Sequence, residues 1–230
     1  MVLDRLIMAS PIRCLISAGP TREYFDPVRY VSNPSSGKMG YAIAAAAAKQ
    51  GWTVELVSGP VMLACPEGVT RIPVVTGDEM YREVDARFDG CDILIMTAAL
   101  IDFRPKTKVD HKVKKFELSM VIEMEQVVDV LATVSQRKTK QLVVGFAAET
   151  DNVEAYALRK LEGKNADFIV ANQIGTTSGG FESDHNTVLV LGRDGSRWEM
   201  GPALKTAIAE TLITQFAQIL EDKSIRPASV

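Results

Sequence analysis

The sequence predicts an α/β fold, a doubly wound and mainly parallel sheet with a β arm or hairpin extension. Three observations predict it. Short, nearly continuous apolar runs recur along the chain, as strands covered on both faces require. Segments of helical period separate them. Near the end, an Asp-Gly pair between two strand-like runs supplies a hairpin turn.

In chain order, apolar runs at 14–18, 53–57, 92–97, 141–146 and 167–171 predict buried strands, with a further strand at 69–75. The stretch 39–50 predicts a helix, because it is alanine-rich and Gly51 can close it in the left-handed conformation. Helices are also predicted over 78–88, 127–137 and 152–163, where the spacing is helical and proline is absent. Such alternation favours parallel strands joined by right-handed crossovers, a Rossmann-like layout. Two segments depart from it. Residues 106–124 are lysine-rich and then alternate through Phe116, Leu118 and Met120, which predicts an arm or hairpin leaving the sheet. Residues 187–191 and 196–200 flank Asp194-Gly195 as a hairpin, and an amphipathic helix over 204–221 follows. With no internal repeat, long linker or low-complexity tract, 1–230 reads as a single domain.

Composition excludes several function classes. The chain has 230 residues, 47% of them hydrophobic, enough for a large core. Its net charge of -3 lacks the basic excess of a nucleic-acid binder. Cys14, Cys65 and Cys91 are odd in number and widely spaced, without metal or redox spacing. Each lies in or beside an apolar stretch, so buried free thiols in a reducing compartment are expected. His111 and His185 have no motif pairing them, so a histidine metal centre is not expected. No apolar run approaches the roughly 18 residues of a membrane span. Residues 1–13 contain Asp4 and Arg5 and lack the long apolar core of a secretory signal. The expectation is a cytoplasmic protein with no membrane partner.

The motifs cluster after strands. The first strand runs into Gly19-Pro20-Thr21-Arg22, at the strand end where open α/β sheets bind ligands. Ser32-Asn33-Pro34-Ser35-Ser36-Gly37-Lys38-Met39-Gly40 then leads into the alanine-rich helix. Ser35 or Ser36 can cap that helix, and its free N–H groups attract an anion. Gly37 and Gly40 let a ligand or a neighbouring strand approach the backbone. The plain alternative is a well-capped first crossover helix. Gly-Lys is not followed by Ser or Thr, so this is not a Walker A loop, and no G-x-G-x-x-G opens the helix.

Farther on, Ala98-Ala99-Leu100-Ile101-Asp102 ends a strand in small residues and a carboxylate, suiting a ligand floor with a polar anchor. Locally, a loop aspartate paired with Arg104 explains it as well. Lys112, Lys114 and Lys115 fall within four residues and repel one another unless solvated or facing anions. Lys160 and Lys164, four apart on one helix face, also repel, and a polyphosphate between them would reverse the sign. Cations near a helix C-terminus are otherwise ordinary dipole partners.

Taken together, Ala18-Gly19-Pro20-Thr21-Arg22-Glu23, Asp26-Pro27-Val28-Arg29-Tyr30, the 32–40 block, Val144-Gly145-Phe146-Ala147-Ala148-Glu149-Thr150 and Phe181-Glu182-Ser183-Asp184 resemble phosphopantothenoylcysteine synthetase in order and spacing. The resemblance runs from about residue 12 to about 220. It implies a homodimeric ligase of coenzyme A biosynthesis, which joins phosphopantothenate to cysteine with a nucleoside triphosphate and Mg2+. Bacterial members use CTP and pass through an acyl-cytidylate; eukaryotic relatives typically use ATP. By the same resemblance Lys112 assists acyl-nucleotide formation, and Lys160 and Lys164 bind the triphosphate. Phe146 contacts the nucleotide, while Ala98 and Asp102 line the nucleotide and pantothenate site, with Ala99 and Asn172 on the substrate side. Asn33 serves conversion of the acyl-nucleotide to product, and Arg29 reaches phosphopantothenate, with a route across the dimer left open.

The chain departs from the family pattern in places. Many bacterial relatives carry Asn-Pro-Asp-Ile where Gln126-Val127-Val128-Asp129-Val130 stands, which leaves CTP against ATP open. The family's Ala-Asn-Asp is Ala171-Asn172-Gln173. A flavin-dependent decarboxylase precedes this domain in the bifunctional bacterial protein. None is present in these 230 residues, so no flavin is expected, and a stand-alone synthetase or part of a longer protein fits equally. A nicotinamide or flavin oxidoreductase is disfavoured, because Val57 is followed by Ser58-Gly59-Pro60 rather than an acidic residue. A non-catalytic nucleotide- or pantothenate-binding relative is the remaining alternative.

Overall fold

The computed structural model describes residues 10–115, 121–174 and 183–225. In order, these form β1 (Arg13–Ala18), β2 (Arg22–Tyr24), β3 (Tyr30–Ser32), α1 (Lys38–Lys49), β4 (Thr53–Ser58), β5 (Val69–Pro73), α2 (Gly77–Phe88), β6 (Ile93–Met96), β7 (Phe103–Pro105) and β8 (Met124–Gln126). There follow α3 (Val130–Ser135), β9 (Leu142–Glu149), α4 (Val153–Gly163), β10 (Phe168–Gln173), β11 (His185–Gly192), β12 (Arg197–Leu204) and α5 (Lys205–Ile225).

The main sheet has the order β12-β11-β10-β9-β6-β1-β4-β5. Strands β5 to β10 in that order pair in parallel, and β11 and β12 add antiparallel at one edge. Adjacent residues of a strand point to opposite faces, and here both faces are covered. Ile16, Leu56, Ile95 and Val144 pack on one side with Ile43 of α1 and Ile213 and Phe216 of α5. Leu15, Val57, Leu94 and Val143 pack on the other with Met80 and Phe88 of α2, Val134 of α3 and Leu161 of α4. That is why the strands read as continuous apolar runs. Each such side chain, fully buried, contributes about 1.5–3 kcal/mol, which fixes strand register and hence the positions of the loops at the strand ends.

Several local expectations are corrected. The first helix is entered through Gly37, at φ +76°, not through a serine cap. The bonds that the Ser35 and Ser36 hydroxyls accept from the Gly37 and Lys38 N–H groups are long, 3.4 and 3.5 Å. A Cβ at Gly37 would stand 2.9 Å from Val61 Cγ1, so this turn requires glycine for both shape and space. The helix expected from 127 starts at Val130, because Met124–Gln126 pairs with β7 and Asp129 caps it by accepting the Ala132 N–H at 3.0 Å. The hairpin β2–β3 lay unread within the motif-rich stretch. Cys14 and Cys91 are buried as expected, but Cys65 is exposed on the loop before β5. Burial, reinforced by Asp92, pushes the Cys91 thiol up to about 12.

The Asp194-Gly195 turn joins β11 to β12, with Gly195 at φ +85° and its N–H donated to the Gly192 carbonyl at 3.0 Å. The pair β7–β8 forms the base of the expected arm, while Phe116, Leu118 and Met120 lie outside the described residues. No described helix is long and apolar enough to cross a membrane.

Candidate functional site

The chain leaves β1 toward β4 and β5 on one side, and the sheet continues through β6, β9 and β10 on the other. Where the winding reverses, a cleft of about 910 Å³ opens beyond the strands' carboxyl ends, the position at which doubly wound sheets take ligands. Its walls are the 33–40 turn, the 96–103 segment after β6, the 126–131 stretch, the ends of β9 and β10, and one face of α4. Asn33, Ala98, Ala99, Asp102, Phe146, Lys160, Lys164 and Asn172, all singled out from sequence, line it together. Arg29 and Lys112 do not.

Small residues build the floor. The Thr97 hydroxyl donates to the Ser17 carbonyl at 2.6 Å and the Ala98 N–H to the Ser17 hydroxyl at 3.2 Å. Gly40 is the reason α1 can sit so close: a Cβ there would meet Thr97 Oγ1 at 2.4 Å and Ala18 Cβ at 2.5 Å. Its role is close approach of a strand, whereas the Gly37 turn faces the cleft and presents the start of α1, a favourable place for an anion. Asn33 bridges this turn to the floor, its Nδ2 donating to the Leu100 carbonyl at 2.7 Å and the Ala99 carbonyl at 3.3 Å. Because both partners are acceptors only, the orientation of the amide is fixed.

The cations come with counter-ions. Lys160 pairs with Glu149 at 2.7 Å, and Lys164 with Asp129 at 3.1 Å. These two carboxylates already offset the repulsion that the four-residue spacing creates. The alternative of an Asp102–Arg104 pair does not hold: Arg104 is held by Asp78 and by Glu125, the latter at 2.8 Å. Asp102 is exposed and contributes its carbonyl to the Val127 N–H at 2.9 Å.

Two further cations were missed in the sequence. Lys38 lines the cleft and pairs with Asp184 at 2.6 Å. Lys205, the first residue of α5, is buried at 6% exposure. Burial and the nearby Lys38 depress its ammonium pKa, while Asp184 acts the other way. A single lysine ahead of an amphipathic helix carries no signal in sequence, since only the fold brings 38 and 205 to one cleft, with Asp184 paired to Lys38.

Arg29 and the residue after Lys112 meet outside the cleft. Asp26, with no exposed side-chain surface, receives the Arg29 guanidinium, and the guanidinium also donates to the Val113 carbonyl at 2.7 Å. Lys112, next in the chain, is exposed.

Residues 10–220 match the family model described as the DNA/pantothenate metabolism flavoprotein C-terminal domain. The chain belongs to this family. Among curated relatives, the coenzyme A biosynthesis bifunctional protein CoaBC of Bacillus subtilis is 44% identical over 206 residues, 89% of this chain and 51% of that protein. The CoaBC protein of Escherichia coli K12 is 46% identical over 190 residues, 81% of this chain and 47% of its own length. The chain thus spans about half the length of the curated relatives it matches. A crystal structure of the C-terminal domain of a CoaBC protein superposes with a TM-score of 0.79 at 44% identity, covering 92% of this chain and 96% of that one. Every wall of the cleft falls inside the family match.

Proposed function

We propose that the chain is a phosphopantothenate–cysteine ligase of coenzyme A biosynthesis that draws on CTP. A carboxylate oxygen of phosphopantothenate attacks the α-phosphorus of CTP, the α–β P–O bond breaks and pyrophosphate leaves. The cysteine amine then attacks the acyl carbon of the acyl-cytidylate, the bond to CMP breaks, and the amine loses a proton as the amide forms. The observation that carries this reading is convergence: eight of the ten residues carried over from the resemblance line one cleft at the switch point of the sheet.

The reaction needs positioning and charge neutralisation more than covalent help. Lys160, Lys164 and the start of α1 surround one space, and a triphosphate there takes over the cations from Glu149 and Asp129. Phe146 supplies a half-buried ring toward the nucleotide. Asn33 gives up its longer bond, to Ala99, to meet the oxyanion of the second step; a neutral amide can donate there, where a carboxylate would repel. Mg2+ is expected to arrive on the triphosphate. The described residues hold no group of three or more His, Cys, Asp or Glu able to cage a metal, and magnesium on phosphates needs only one or two carboxylates. Asp102 is the candidate in the cleft.

A homodimer belongs to the proposal. Val28, Tyr30, Val31, Phe103, Ile122 and Met124 are all large, apolar and exposed around the β2–β3 and β7–β8 pairs, a patch of the kind that marks an interface. Arg29, outside its own cleft, is assigned to that of the second subunit. ATP is the second reading, because the departing stretch 126–130 forms one wall of the cleft. Pyrophosphate release from CTP and from ATP, each with Mg2+ and phosphopantothenate, tests both. CTP-dependent release is expected; release from ATP alone would replace CTP, and release from neither would end the ligase reading.

A further inference from the structure

The segment that carries Lys112 is docked on the loop between β2 and β3. Val109 donates its N–H to the Phe25 carbonyl at 3.1 Å. Four residues later both backbone groups of Val113 are taken: its N–H by Asp26 Oδ2 at 3.3 Å and its carbonyl by the Arg29 guanidinium at 2.7 Å. Lys112 lies between these two anchors. The two oxygens of Asp26 divide the work. Oδ1 accepts the N–H groups of Val28 and Arg29, each at 2.8 Å, and shapes the local turn. Oδ2 takes Arg29 Nε at 2.9 Å, the second guanidinium nitrogen, and the Val113 N–H from 87 residues away.

We infer that Asp26 is a positioning residue: its Oδ2, through Arg29 and the Val113 amide, fixes the backbone beside Lys112 and so sets where that ammonium can reach. This rests on the proposed part of Lys112 in acyl-nucleotide formation. A turn-forming aspartate would need only Oδ1. Asparagine can keep both Oδ1 bonds, but its NH2 group would face the Arg29 and Val113 donors, so Asp26→Asn separates the two roles. Burial pushes the carboxyl up, yet the Arg29 side chain and the Val28, Arg29 and Val113 N–H groups hold it well below the usual carboxylate range. The clasp therefore stays ionised in mild acid.

The test compares the wild-type 230-residue chain, Asp26→Asn, Lys112→Gln and the double variant in single-turnover pyrophosphate release, with folding checked by circular dichroism. A displacement of about 1 Å can cost about a hundredfold in rate, and a fall of that order is expected in Asp26→Asn, with KM for CTP changed less than about twofold. The double variant is expected to be no slower than Lys112→Gln alone, since effects of groups acting as a unit do not multiply. A folded Asp26→Asn at wild-type rate, or losses that multiply, overturns the inference alone. Lys112→Gln at wild-type rate removes the part given to Lys112, and the inference with it. Should Asp26→Asn not fold, amide hydrogen exchange on the wild type decides: Val113 is expected to be protected, and exchange at the free-peptide rate overturns the clasp.

Discussion

Replacing Gly40 with alanine puts a methyl carbon 2.4 Å from Thr97 Oγ1 and 2.5 Å from Ala18 Cβ. Carbon atoms pack best near 3.5–4.0 Å, so α1 or the ends of β1 and β6 must shift by about 1 Å. Overpacking of this kind costs about 1–3 kcal/mol. Alanine regains about 1 kcal/mol of helix propensity over glycine. The Thr97 hydroxyl, now bonded to the Ser17 carbonyl at 2.6 Å, is displaced, which forfeits about another 1 kcal/mol. The net expectation is a loss of about 1–3 kcal/mol, which at about 2–4 °C per kcal/mol lowers the melting temperature by about 2–12 °C. Thermal unfolding followed by circular dichroism reads the first effect. Pyrophosphate release reads the second, because the same shift moves the floor at Thr97 and Ala98 and should slow turnover. A Gly40→Ala protein that melts at or above the wild-type temperature and turns over normally would refute the packing argument.

Three other outcomes are expected. Asn33→Asp sets a carboxylate against the Ala99 and Leu100 carbonyls and the developing oxyanion, so acyl-nucleotide should accumulate in quenched reactions; unchanged product formation would remove Asn33 from the second step. Asp129→Asn keeps a cap for α3 but releases Lys164 from its ion pair, so CTP should bind several-fold more tightly at low salt. Unaltered affinity would place Lys164 away from the phosphates. Glu23, buried while accepting the Gly77 N–H at 2.7 Å, has its carboxyl pKa raised, by burial above all. It binds more protons folded than unfolded, so stability falls as pH rises from about 4.3 through the raised value. The stability of Glu23→Gln relative to wild type should therefore grow across that window, and a flat difference would contradict the assignment.

The sheet was legible because burial on both faces writes itself into the sequence: Leu15 and Ile16 face opposite layers, and both had to be apolar. The β11–β12 hairpin was legible through Asp194-Gly195, whose left-handed turn suits glycine. Short elements left no such trace. In β2–β3 and β7–β8 only three residues pair on each side, too few for a period, although the arm expected over 106–124 does reach Met124, the first residue of β8. The serine cap failed because the chain enters α1 through Gly37 at φ +76°, where a Cβ would also crowd Val61, which is distant in sequence. Eight of the residues singled out from sequence line one cleft, since motifs at the ends of adjacent parallel strands are brought together by the sheet. Lys38 and Lys205 were illegible as ligand groups, because their neighbourhood depends on how α5 returns beside α1. Arg29 and Asp26 hold the backbone of Val113, the residue after Lys112, in a clasp that sequence cannot display.

The central claim is that this cleft makes an amide between phosphopantothenate and cysteine at the expense of a nucleoside triphosphate. Its most direct measurement is a mass-resolved end-point assay of the protein with phosphopantothenate, cysteine, Mg2+ and CTP, with ATP in a parallel arm. The account predicts phosphopantothenoylcysteine, CMP and pyrophosphate in equal amounts in the CTP arm. Absence of the amide product in both arms would contradict it.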